Sequence, residues 1–183
     1  MNLKESPLAF IDLETTGFEF MDKEIIQIGI VIASQPDLEV LDEIEINVKP
    51  VHIETADPEA LEIVVYTEEL WKDAISLKEA MEIVAEKTKG CIMVGHNVPF
   101  DWAFLEKAFE ETGVKDTMDY HRLDTISIAW AKLQNNPDIT RFSLSELAPY
   151  FGIENKKAHT ALSDSRTTYE LYKRLMEKNK EGV

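Results

Sequence analysis

Five side chains in the 183-residue sequence are of types that handle metal ions and protons: Asp12, Glu14, Asp101, His159 and Asp164. Asp12 and Glu14 lie one residue apart within the apolar run Leu8–Gly17, "LAFIDLETTG". Period-2 geometry sends both to the same face of a strand. Carboxylates that close repel, and neither is stable when buried without a counter-charge. Asp101 sits early in a helical segment, and His159 and Asp164 flank the start of the last one. Carboxylate oxygens suit hard cations, so Mg²⁺ or Mn²⁺ is the expected partner of the acidic pair. Two such ions ~3.5–4 Å apart clamp the attacking and leaving oxygens of a phosphoryl transfer. A neutral histidine nearby takes a proton from the attacking water, because its pKa lies close to working pH.

The elements that must position these groups follow from the apolar periodicity. Leu8–Leu13 reads as a short buried strand. Glu24–Ala33, "EIIQIGIVIA", reads as a longer one covered on both faces. Val40–Lys49, "VLDEIEINVK", alternates, with Ile44, Ile46 and Val48 on one face, and Pro50 closes it. Together they predict a three-stranded meander with the third strand at an edge. Asp57–Val65 opens with cap, proline and acid, a helix start. Ser76–Lys89 is a second helix, with Leu77, Ala80, Met81 and Val84 in one stripe, and Gly90 stops it. Cys91–His96 is another strand, Pro99 to about Thr112 a helix ended by Gly113. Tyr120–Thr125 is a strand followed by a helix to about Leu133, and "QNNPD" is a loop. Ser143 is placed as the cap of a short helix ending at Gly152, and Thr160–Lys178 is a long final helix. The alternation predicts one α/β domain over residues 1–183.

Composition narrows the chemistry. Apolar residues make up 44% of the chain, as in ordinary globular proteins. No apolar run approaches the roughly 20 residues that span a bilayer, and the N-terminus carries no signal-peptide pattern. The lone Cys91 cannot form an internal disulfide, which points to a reducing cytoplasm. A net charge of −16 argues against a broad phosphate-binding surface. Residues 1–90 hold 7 Lys and Arg against 21 Asp and Glu, whereas residues 91–183 hold 12 against 14. A polyanion should therefore dock against the second half, or be drawn by cations that the protein collects. Otherwise the acidity serves solubility.

Three segments resemble one family. "FIDLETTG" is similar to the first motif of the DEDDh 3′–5′ exonucleases, "GHNVPFDWAFL" to the second and "AHTALSDSRTT" to the third. They occur in the family's order from residue 10 to about 168. The family includes the proofreading epsilon subunit of bacterial DNA polymerase III and ribonuclease T, and "ADPEALEI" is weakly similar to a segment of the latter. The resemblance implies a ribonuclease H-like fold, a five-stranded mixed sheet flanked by helices, and two Mg²⁺ (or Mn²⁺) ions. It implies that Asp12, Glu14 and Asp164 hold the first ion. Asp12 bridges to the second, which Asp101 helps to hold, directly or through water, and His159 is the general base.

The expected activity is hydrolysis of terminal phosphodiesters of DNA or RNA, releasing nucleoside 5′-monophosphates from 3′ ends, single-stranded by preference. Thr15, Thr16, Gly17 and Phe18 follow the acidic pair, where the family's backbone approaches the terminal nucleotide. Phe18 and Phe20 are either base platforms or loop residues covering the core. His96 and Asn97 shape the loop before Asp101 by hydrogen bonds, with substrate contact their second assignment. Phe100 and Trp102 read as packing residues, and Asp124 as structural. Lys156, Lys157 and Arg141 are either phosphate contacts or a solvated face. The chain ends 19 residues after Asp164. That favours a self-standing exonuclease, or a domain trimmed from a DNA polymerase, over a proofreading subunit with a long tail. A polymerase or a second copy remains an open partner. An inactive nucleic-acid-binding module is the rival class, and the presence of all five residues weighs against it.

Overall fold

A computed structural model describes residues 2–154 and 160–177. Strands β1 (Leu8–Thr15), β2 (Ile25–Ala33) and β3 (Val40–Asn47) form the antiparallel meander. A 3₁₀ turn at Ile53–Thr55 leads into α1 (Pro58–Val64), then α2 (Leu77–Lys87). Next come β4 (Ile92–Gly95), α3 (Val98–Thr112), β5 (Arg122–Asp124) and α4 (Thr125–Leu133). Helices α5 (Leu144–Tyr150) and α6 (Ala161–Glu177) complete the order. The sheet runs β3-β2-β1-β4-β5, with β4 parallel to β1 and β5 parallel to β4. This is the five-stranded mixed sheet flanked by helices that the resemblance implies, with β3 at an edge as the alternation predicts. Among the described residues, no helix is long and apolar enough to cross a membrane.

Two apolar layers sandwich the sheet. Ala9, Ile11 and Leu13 of β1 face α2 and α3, where they meet Met81, Val84, Phe104 and Leu105. Leu8 and Phe10 face α6, and the Phe10 ring meets Tyr169 and Tyr172 edge-on at 5.3 and 5.5 Å. Alternation then sends Asp12 and Glu14 to the α6 side as well.

Several local expectations shift. Val48 leaves β3 and pairs alone with Ile75. The fifth strand shrinks to Arg122–Asp124, because Asp124 already begins α4 by accepting from Ile126 N at 2.8 Å. Neither Asp57 nor Ser143 caps its helix with its side chain. The Asp57 carboxylate turns instead to Lys23 Nζ, 2.5 Å away. Ahead of α5, the Glu146 carboxylate collects the N–H groups of Thr140, Arg141 and Phe142 at 2.7–3.0 Å. These bonds hold Glu146 down at about 2. Ser76 does build a full capping box with Glu79.

Candidate active site

The carboxylates gather where the sheet runs out. Strand β4 pairs with β1 only from Leu8 to Phe10, so β1 extends beyond it. There the Leu13 N–H donates to Asp101 Oδ1 at 3.1 Å, fixing an acid of α3 against the strand. From the opposite layer α6 brings Asp164. Its N-terminus seats on β2: Ala161 N donates to Gln27 Oε1 at 2.9 Å, and Ser165 Oγ donates to the Gly29 carbonyl at 2.8 Å. Gly29 is the register partner of Asp12. A Cβ at Gly29 would overlap the backbone of Ala161 and Leu162, so the helix approaches as closely as it does because residue 29 has no side chain. The isolated Gly inside "EIIQIGIVIA" is the sequence signal for that approach, and the periodicity reading passes over it.

Asp12, Glu14 and Asp164 each offer an oxygen within 4.8 Å of the others. Asp101 is not in that group; it stands behind, buried, at Leu13. Burial raises the Asp12 carboxyl well above the usual carboxylate range, and repulsion from Asp101, Asp164 and Glu14 adds to it. Burial and then Asp164 push Glu14 up to about 7. Burial pushes Asp101 up to about 8 against the pull of the Leu13 N–H, with Glu14 and Asp124 adding repulsion. A cluster this unfavourable in its ionised form is one that divalent cations neutralise. The donor set therefore fits the hard-cation site expected from sequence.

A second set of bonds aims Asp101. Thr125 Oγ1 donates to the Gly95 carbonyl at 3.1 Å and lies 2.8 Å from His96 Nδ1, and Asp124 Oδ1 accepts from Asn97 N at 3.3 Å. The Asp124–Thr125 pair thus ties down the β4–α3 loop, in which Asn97 takes a left-handed φ of 77°. The other His96 nitrogen, Nε2, is buried, and burial holds the ring's pKa below its ordinary value. His96 and Asn97 thus sit as loop-shaping groups. Thr125 is missed by sequence reading because its partners lie about 30 residues away. Asp124→Ala removes the α4 cap as well as the tether. It should cost about 1–2 kcal/mol, measured by denaturant melts.

Beside Glu14 a cavity of about 700 Å³ opens between the β1–β2 loop and α1. Leu13, Glu14, Thr15, Gly17, Phe18 and Phe100 line one side, and Asp57 to Ala60 with Ile63 and Val64 the other. Phe18 is 81% exposed and its ring lies 6.2 Å from that of Phe100, so it does not cover the core. Phe20 packs on Phe104 instead. Thr15 Oγ1 donates to the Gly17 carbonyl at 2.7 Å. Thr16 is buried outside the cavity, its hydroxyl accepting from Glu24 N at 2.8 Å. Trp102 lies under the Arg122 guanidinium, 3.9 Å from ring centre, as a packing residue. Arg141 is exposed. His159, Lys156 and Lys157 lie outside the described residues.

Comparison with known proteins adds the family. The RNase T model, described as "Exonuclease", matches residues 9–172. Over 97% of its length the chain is 29% identical to DNA polymerase III PolC-type from Caldanaerobacter subterraneus subsp. tengcongensis, covering 12% of that protein. It is 32% identical over 168 residues to the 3′-5′ exonuclease DinG of Staphylococcus aureus strain MRSA252, covering 89% of this chain and 17% of DinG. The chain thus spans less than a fifth of either relative's length. Among solved structures, exonuclease I superposes with a TM-score of 0.83 at 19% identity, over 94% of this chain and 41% of that one. E. coli exonuclease I in complex with a dA16 oligonucleotide gives 0.79 at 20% identity, over 94% and 41%. At these identities the superpositions establish the fold.

Proposed function

The chain belongs to this exonuclease family, and on that premise we propose that residues 1–183 form one domain that trims single-stranded DNA or RNA from the 3′ end, releasing nucleoside 5′-monophosphates. The observation that carries the reading is the convergence of Asp12, Glu14 and Asp164 within 4.8 Å. These three would hold one Mg²⁺ or Mn²⁺, and Asp12 with Asp101 would hold a second. The bound ions supply Lewis-acid stabilisation of charge on the phosphoryl oxygens. His159 accepts the proton of the attacking water. The cavity beside Glu14 receives the terminal nucleoside, with Phe18 and Phe100 against the base and the Thr15–Gly17 backbone along the sugar. Thr16 holds the loop in place rather than touching substrate: its N–H donates to the Glu24 carbonyl, its carbonyl accepts from Asp57 N and its hydroxyl accepts from Glu24 N. A cytoplasmic location suits the lone, buried Cys91. Likeness to a PolC-type polymerase favours a second reading, a proofreading domain that partners a polymerase. Pairing with a second copy of the chain is the other arrangement proposed.

Degradation of matched DNA and RNA oligonucleotides, single- and double-stranded, tests the reading. Mg²⁺-dependent loss of single strands supports it, and tight binding of long duplex without metal opposes it.

The raised carboxylates give a further expected outcome. Between pH 4.5 and about 7 the folded chain keeps a proton on Glu14 that the unfolded chain has lost. The stability from this group is therefore complete below pH 4.5 and is lost as pH rises through about 7. Cations bind the ionised carboxylates and release those protons, so their stabilising effect grows over the same window. Thermal melts in EDTA and in Mg²⁺, at pH 5 and pH 8, should show a larger Mg²⁺-induced rise at pH 8. Glu14→Gln should flatten the EDTA pH dependence.

A further inference from the structure

The β1–β2 loop is bound to the start of α1 through Lys23 and Thr16. Lys23 Nζ donates to Asp57 Oδ1 at 2.5 Å and to the Thr55 carbonyl at 2.8 Å, and the Lys23 side chain is only 12% exposed. Asp57 N donates to the Thr16 carbonyl at 2.8 Å. From behind, Lys107 Nζ donates to the Met21 and Lys23 carbonyls at 3.2 Å each. Gly17, with φ 155°, lies against the pair: a Cβ there would overlap Asp57 Oδ2 and stand 2.8 Å from Lys23 Cε. Gly17 and Asp57 are also opposite walls of the 700 Å³ cavity. The ion pair therefore ties the β1–β2 loop on one wall of that slot to Asp57 on the other.

Charge points the same way. The cavity wall carries three carboxylates, Glu14, Asp57 and Glu59. A nucleotide brings further negative charge. Bound cations answer Glu14, but Asp57 lies on the far wall, and Lys23 answers it.

We propose that Lys23 is a positioning residue for the substrate, a latch that sets the width of the terminal-nucleoside slot and cancels the charge of Asp57 on its wall. The proposal rests on the exonuclease reading for what fills the slot. Lys23 reaches the reaction through Asp57 and the loop rather than through the phosphate. Binding should therefore suffer and the chemical step should not.

A double-mutant cycle tests this with Lys23→Met, Asp57→Ala and both together, each checked by thermal melt. On a short single-stranded oligonucleotide in Mg²⁺, each single variant should raise KM roughly tenfold, as for a lost hydrogen bond to a charged group, with kcat within about twofold. The double variant should be no worse than either single, because one latch cannot be opened twice. The four proteins are also titrated with thymidine 5′-monophosphate in Mg²⁺, where the same pattern in Kd is expected. Unchanged KM and Kd in Lys23→Met, multiplying effects in the double variant, or a fall in kcat at constant KM would each overturn the latch. A wild-type chain that cleaves no oligonucleotide would instead refute the exonuclease reading, and the Kd cycle would still decide the latch.

Discussion

Asp12→Asn should lower Mg²⁺-dependent cleavage by about a thousandfold or more and, at the same time, raise the melting temperature of the metal-free chain at pH 8. The first effect follows from removing the carboxylate shared by both proposed ion positions, since a metal's stabilisation of transition-state charge amounts to several kcal/mol. The second follows from the apo electrostatics. Asp12 is held near Asp101, Asp164 and Glu14 and is partly removed from water. An amide of the same shape removes one of the repelling charges. Loss of function with gain of stability is the signature of a site strained for chemistry. A residue kept for the fold would give the opposite sign. Paired measurements of turnover and of melting in EDTA check it, and a lower melting temperature with turnover intact would assign Asp12 a structural role. His159→Ala, by contrast, should slow cleavage while metal binding persists.

Gly29→Ala should also be damaging, though less so, from a position with no functional group. The new methyl would meet the backbone of Ala161 and Leu162, which cannot rotate aside as a side chain can. Helix α6 must lift off β2, straining the bonds from Ser165 to Gly29 and from Ala161 to Gln27. Overpacking of this kind costs about 1–3 kcal/mol. Because α6 carries Asp164, a displacement near 1 Å should also cost about a hundredfold in kcat. Gly113→Ala is the control. Its φ of 68° carries the left-handed strain, but nothing lies within 4 Å of the added carbon, so it should cost about 1 kcal/mol and spare turnover. Equal turnover in Gly29→Ala and wild type would mean that the seat of α6 on β2 does not set the site.

These two positions mark what the sequence makes legible. Asp12 and Glu14 announce themselves, because charge inside an apolar period-2 run is anomalous on its own terms. The strands β1 to β3 and the long helices follow from periodicity, and the edge position of β3 from its alternation. Gly29, Thr125 and the Lys23–Asp57 pair do not announce themselves. Each acts through a partner 29 to 136 residues away, and no local pattern encodes such a meeting. Asp57 shows the mechanism of the error. An Asp before a proline has the local chemistry of a cap, yet a lysine brought in by the loop outcompetes the helix N–H groups for its carboxylate. At β5 the strand stops at Asp124 and Thr125 begins α4 instead, because Asp124 ends the strand and caps the helix at once.

The proposed function requires that acids from β1, α3 and α6 make the 3′ terminus of a nucleic acid cleavable through bound cations. A 5′-labelled single-stranded oligonucleotide tests it, incubated with the wild-type chain in Mg²⁺, with the same chain in EDTA, and with Asp12→Asn in Mg²⁺. A ladder that shortens one nucleotide at a time from the 3′ end is expected in the first reaction, and intact substrate in the other two. Release of the labelled mononucleotide as first product, internal fragments, or equal degradation in EDTA would contradict it.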